Sequence, residues 1–170
     1  AGKSTLIKLL CGVFKADGGS ILYNGKPYAP QKPLDAINAG VSCVYQEFNL
    51  LEYMSVAENI FFQKLPQHRG IVDYKALYAD TKKLLAEVGL PDLSPKTNVE
   101  VLGIAQKQLV EIAKAVSRKC RVLILDEPTA TLTPPEIEKL FVIIGKLKQQ
   151  GVTIIYISHR LQEIKQIGDR

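Results

Sequence analysis

The sequence predicts an α/β domain: a parallel sheet covered by helices on both faces, interrupted by a helical segment. Three observations predict it. "VSCVY", "RVLILD" and "VTIIYIS" are near-continuous apolar runs of strand length, the pattern of strands buried on both sides. Beyond Val116, strand and helix patterns alternate, as parallel strands joined by crossover helices require. Between about Phe48 and Val116 the periodicity is mainly helical, with no convincing buried strand.

In chain order, a helix is expected from Lys3 to about Cys11, with Leu6, Leu9, Leu10 and Val13 at helical spacing. "DGGSILYNGKPY" reads as a hairpin around Asn24-Gly25, a type I′ turn signal. "DAINAG" is a short helix with a glycine stop, and "VSCVY" a buried strand ending at Tyr45. In "SVAENIFF", Ser55 and Glu58 have the spacing of a capping box. "DYKALYADTKKLLAEVGL" is a helix capped by Asp73 and stopped at Gly89, and "AQKQLVEIAKAV" is another. "RVLILD" is a strand with an acidic end. "TPPEIEKLFVIIGKLKQQG" is a helix entered through prolines and closed by Gly151. "VTIIYIS" and "RLQEIKQI" complete the alternation. The expected division is a core of residues 1–47 and 116–170 around a helical part of residues 48–115.

Composition narrows the class. The chain has 170 residues, enough for a substantial core, and no apolar run of membrane-spanning length. Cys11, Cys43 and Cys120 lack metal-ligand spacing and read as reduced core residues. The net charge is 22 − 17 = +5, but Lys and Arg are scattered and no basic run interleaves with aromatics. That favours solvated helix faces and argues against a nucleic-acid partner.

The chemistry concentrates at predicted strand ends. Gly2-Lys3-Ser4-Thr5 matches the end of a phosphate-binding loop, in which backbone N–H groups cradle phosphates, the lysine reaches the outer phosphates and the serine hydroxyl ligates Mg²⁺. Alone this short match is weak; the apolar helix that follows at once supplies the context. "LILDEPTA" delivers Asp126 and Glu127 to the carboxyl end of a buried strand, where ligands bind in open α/β sheets. Asp126 is a candidate for the Mg²⁺ shell and Glu127 for the general base that polarises water. Gln46 and His159 end two more strands, so all of these residues are expected along one rim. "Leu102-Gly103-Ile104-Ala105-Gln106" opens a helix whose N-terminus suits an anion, although an ordinary loop and amphipathic helix explains it equally.

This ordered set — GKST, Gln46, LGIAQ, LILDEPTATLT and ISH — resembles the ATP-binding subunit of ABC transporters over nearly the whole chain. "LVEIAKAV", "DEPTATLT" and "IIYISHRLQEI" are similar to its monosaccharide-importer branch, which handles sugars such as ribose, xylose, arabinose and galactose. The resemblance implies a P-loop NTPase: a RecA-like core with an inserted helical subdomain. Gly2, Lys3, Ser4 and Thr5 match the end of Walker A, Gln46 the Q-loop, Leu102 to Gln106 the signature motif, Asp126 the end of Walker B, Glu127 the catalytic glutamate and His159 the switch histidine. It further implies ATP and Mg²⁺, with Ser4, Gln46 and Asp126 as the metal-side residues. The implied partners are a second ABC ATPase domain packed head to tail, transmembrane permease subunits and, indirectly, a sugar-binding protein. The implied place is the cytoplasmic face of the inner membrane, as a peripheral subunit.

The match has departures. The usual signature is LSGGQ; here Gly103 replaces the serine and Ile104-Ala105 the two glycines. Loss of that hydroxyl removes a γ-phosphate hydrogen bond worth about 1–3 kcal/mol if unreplaced. A catalytically degenerate, regulatory nucleotide-binding half is therefore the alternative, and a soluble non-transport ATPase with the same motifs a third. Thr133 stands where aspartate is common. The front of the phosphate loop, its preceding strand and an adenine-stacking aromatic are missing from the pattern. The chain therefore reads as part of a longer, commonly two-domain subunit, and this piece by itself is expected to bind ATP poorly.

Overall fold

The computed structural model describes residues 2–68 and 70–169. Its elements, in order, are α1 (Lys3–Leu10), β1 (Leu22–Tyr23), β2 (Lys26–Pro27), α2 (Pro33–Asn38), β3 (Val41–Val44), α3 (Val56–Phe61), β4 (Gln67–His68), β5 (Ile71–Val72), α4 (Tyr74–Glu87), α5 (Ile104–Ser117), β6 (Val122–Asp126), α6 (Pro134–Gln149), β7 (Thr153–Ile157) and α7 (Leu161–Ile167). A turn of 3₁₀ helix, Val99–Val101, precedes α5.

The centre is a parallel sheet in the order β3-β6-β7. Its middle strand explains why helices cover both faces. Leu123, Ile124 and Leu125 are all fully buried, yet successive side chains point to opposite sides. Leu123 and Leu125 join a large core with Val110 and Ile112 of α5 and Leu140 and Ile144 of α6. Ile124 joins a second core with Ile7 and Cys11, Ala36 of α2 and Val41. A continuous apolar strand is thus shared between two cores, as the sequence pattern required.

On the second face α1 presents Ile7, and Cys11 just past its end is also buried, whereas Leu6 is 53% exposed and Val13 47%. The expected stripe through Leu6 and Val13 does not face the core: the helix ends at Leu10 and Gly12 turns the chain at φ +68°. The hairpin β1–β2 forms around Asn24 and Gly25, both at positive φ, as expected for a type I′ turn.

The helices α3, α4 and α5 pack on one another, and α5 also packs on β3. Ser55 caps α3 by accepting from the Glu58 N–H while Glu58 accepts from Ser55 N–H, and Asp73 caps α4 through the Ala76 N–H. Gly89, at φ +77°, follows α4 as predicted. The two-residue ladder β4–β5 within this part went unforeseen, because four residues are too few to show a period.

Gly12 sets how closely α1 approaches the segment before α2. A Cβ built there would lie 2.6 Å from the Lys32 carbonyl oxygen, in addition to the positive φ. Gly12→Ala is expected to destabilise the protein by about 2 kcal/mol or more. That corresponds to a drop of roughly 4–8 °C in thermal midpoint by calorimetry; an unchanged midpoint would contradict the packing described.

Candidate active site

The register fixes the rim. Val44 lies opposite Leu125, Leu125 opposite Tyr156, and Asp126 opposite Ile157. The three strands therefore end level, and the residues just beyond them emerge side by side: Gln46 after β3, Asp126 and Glu127 at the end of β6, His159 after β7. Glu127 leaves β6 in the left-handed region, at φ +51°, uncommon for a residue with a Cβ. Its N–H is tied to the Ile157 carbonyl at 2.9 Å and its own carbonyl accepts from Ala130. A tight turn thus swings the Glu127 carboxylate toward β7.

There it meets His159. The His159 Nε2 stands 2.6 Å from Glu127 Oε1, and Lys3 Nζ donates to His159 Nδ1 at 3.4 Å. With Nδ1 accepting from Lys3, the ring proton belongs on Nε2, where it donates to the carboxylate. The three residues come from α1, the end of β6 and the end of β7, and are separated by up to 156 positions in sequence. Glu127 is 24% and His159 71% accessible at its side chain, so the pair opens to solvent.

Ser4, Gln46 and Asp126 line one cleft of about 920 Å³ beside this trio. The Asp126 carboxyl is pushed above its ordinary value by burial and by the adjacent Glu127 charge, with Lys3 and His159 pulling the other way. Gly2 starts α1 at φ +92°, and no side chain caps the helix, so its first turn retains free N–H groups beside Lys3. A hydroxyl, an amide and one carboxylate are hard oxygen donors that suit Mg²⁺, which keeps several waters and shares phosphate oxygens. Among the described residues no group of three or more His, Cys, Asp or Glu side chains is arranged to hold a metal ion by itself. The donor set therefore fits Mg²⁺ with a phosphorylated ligand. Thr5 is exposed one position further along α1.

The segment Leu102–Gln106 is elsewhere. Leu102 is buried in the large core, and Gly103 is the extended residue that starts α5. Gln106 Oε1 accepts from the Gly103 N–H at 3.1 Å, and Ile104 is 49% exposed. Ala105 and Gln106 line a separate cavity with Leu132, Glu136 and Leu140. The structure thus groups Lys3, Ser4, Gln46, Asp126, Glu127 and His159 at the rim and sets Leu102 to Gln106 apart from them.

Residues with no predicted part also shape the site. The N–H of Asn49, three positions beyond Gln46, donates to Glu111 Oε1 at 2.7 Å, and the Asn49 carbonyl accepts from Lys114 Nζ at 2.7 Å. The middle of α5 therefore grips the loop that carries Gln46. Burial raises the Glu111 carboxyl's pKa, partly offset by Lys114, the Asn49 N–H and Arg118. No local signal announces a clamp between residues 62 apart. Thr133 accounts for a second feature: its N–H and hydroxyl both donate to Glu136, starting α6. That spacing, T-P-P-E, is the signature of a capping box.

The geometry can be set beside known proteins. The family model described as "ABC transporter" matches residues 1–130. The chain belongs to the ABC transporter family. It is 49% identical over 170 residues to a ribose import ATP-binding protein of Streptomyces avermitilis, covering 100% of this chain and 32% of that protein. It is 45% identical over 170 residues to a ribose import ATP-binding protein of Rubrobacter xylanophilus, covering 100% and 34%. It therefore spans about a third of the length of these curated relatives. A nucleotide-free ATP-binding cassette from an ABC transporter superposes with a TM-score of 0.81 at 26% identity, covering 98% of this chain and 69% of that one. The fold of this ABC family member is accordingly that of an ATP-binding cassette, a P-loop NTPase.

Glu111→Ala takes the acceptor from the Asn49 N–H and leaves Lys114 buried without a counter-charge. The expected loss is about 2–4 kcal/mol by chemical denaturation. Glu111→Gln keeps the acceptor and is expected to lose clearly less; equal losses would contradict the clamp.

Proposed function

We propose that this chain is the nucleotide-binding core of a subunit that hydrolyses ATP to drive import of a monosaccharide through a membrane transporter. The carrying observation is the junction of Lys3, His159 and Glu127 beside a cleft lined by Ser4, Gln46 and Asp126. Family membership and the ribose-import names of two relatives support the transport reading.

In this reading the uncapped first turn of α1 and the Lys3 ammonium hold the outer phosphates. Mg²⁺, held by the Ser4 hydroxyl with Asp126 and Gln46 around it, would offset charge on the phosphate oxygens. Glu127 takes the proton from the attacking water at its carboxylate. His159, hydrogen-bonded to that carboxylate and to Lys3, orients the base and reaches toward the terminal phosphate. Gln46 lies at the start of the loop gripped by α5, the path by which occupancy of the cleft is relayed to a membrane partner. Leu102 to Gln106, exposed in part and remote from this rim, belong to the site of a second ATPase domain packed head to tail. A sugar-binding protein acts outside the membrane, and the subunit is peripheral on its cytoplasmic face. None of the described helices is long and apolar enough to cross a membrane.

The test is ATP hydrolysis by the full-length protein with Glu127→Gln. The expected result is a fall in rate of about 10²-fold, with nucleotide binding retained. Hydrolysis near the wild-type rate would overturn the assigned base. Loss of hydrolysis with no effect on sugar uptake in the assembled transporter would overturn the coupling.

A further inference from the structure

Four residues converge on one buried carboxylate: Thr129 from the turn after β6, Tyr156 within β7, and Ser158 and Arg160 just beyond it. Glu163, in the first turn of α7, is 6% exposed. Thr129, 2% exposed, donates its hydroxyl to both carboxylate oxygens at 2.9 and 2.8 Å. The Tyr156 and Ser158 hydroxyls each donate to Oε2 at 2.8 Å, and Arg160 Nη1 reaches Oε1 at 3.4 Å. Burial raises the Glu163 carboxyl's pKa, but the donors Ser158, Thr129 and Tyr156, with the Arg160 charge, outweigh it and leave it below its ordinary value. The group is thus an ionised acceptor saturated by its neighbours.

Those donors come from the segments that flank the rim residues. Ser158 and Arg160 are the two neighbours of His159, and Ser158 Oγ also accepts from the Arg160 N–H at 2.9 Å. Both ends of the His159 peptide unit are therefore fastened to Glu163. Thr129 comes from the turn that begins at Glu127, whose carbonyl accepts from Ala130. One carboxylate thereby ties the turn bearing Glu127 to the loop bearing His159.

We infer that Glu163 is a positioning residue for hydrolysis: by bonding Thr129 on one side and Ser158 and Arg160 on the other, it sets the separation of Glu127 and His159. It touches no reacting atom and acts only through that pair. The inference rests on the proposed ATP-hydrolysing role of the rim.

The experiment is steady-state ATP hydrolysis by the full-length protein carrying Glu163→Gln, alone and with His159→Ala. The amide keeps the volume but removes the charge and two acceptor lone pairs. Expected are a kcat lowered by about tenfold or more, a KM for ATP within about twofold of wild type, and an effect of less than about twofold once His159 is alanine. Wild-type kcat, a KM rising in step with the loss, or an equal loss in the His159→Ala background would each overturn the inference. Should Glu163→Gln fail to fold, Ser158→Ala decides, because it cuts only the bonds flanking His159: a lowered kcat at constant KM supports the inference and an unchanged kcat overturns it. If Glu127→Gln abolishes hydrolysis while Glu163→Gln leaves it intact, this inference falls and the proposed function stands.

Discussion

The level ending of three parallel strands is the constraint on which the rest depends. β6 is buried on both faces, so a slip of one residue would move Leu123 and Leu125 out of one core and Ile124 out of the other. Each side chain would then enter the opposite core, which is packed around a different set of residues, and such mispacking costs about 1–3 kcal/mol per residue, so the register is strongly specified. With Leu125 held opposite Val44 and Tyr156, the groups after each strand have no freedom to shift along the sheet. Gln46, Asp126, Glu127 and His159 are neighbours because the apolar cores make them so.

On that frame the polar groups are arranged with little slack. Glu127 occupies a backbone region that costs of order 1–3 kcal/mol, and its turn is held by the Ile157 carbonyl and the Ala130 N–H. The strain brings its carboxylate to His159 Nε2, whose other nitrogen faces Lys3. Two further buried carboxylates, Glu111 and Glu163, each accept hydrogen bonds from the loops around the rim rather than from their own helices. The loops carrying Gln46 and His159 are thereby tied to α5 and α7, so rearrangement of either helix reaches the rim directly.

What the sequence disclosed follows the range of the interaction behind each signal. The buried strands, the capping of α3 and α4 and the turn at Asn24-Gly25 were legible because period, cap and turn chemistry are written within a few residues. The rim was legible for the same reason: Gln46, Asp126, Glu127 and His159 were named by their places at strand ends and Lys3 and Ser4 by a short match at a helix start, and the sheet aligned the strand ends. The clamp on Asn49 was not legible, since 62 residues separate it from Glu111 and either residue alone resembles an ordinary polar position. Glu163 sits in "RLQEIKQI", where it reads as part of a solvated helix face; only the tertiary approach of Thr129 turns it into a buried acceptor. The inward face of α1 was misjudged because Gly12 ends the helical geometry before Val13, a change of direction that spacing alone does not reveal.

The role of the rim turns on whether it receives a nucleotide. A crystal structure of the full-length protein with Mg²⁺ and a non-hydrolysable ATP analogue tests this most directly. It should place the outer phosphates on the first turn of α1 and Lys3, the metal against Ser4 on the Asp126 and Gln46 side, and the terminal phosphate facing Glu127 and His159. An analogue bound with its terminal phosphate away from Lys3 and His159, or a metal held by residues outside this cleft, would contradict it.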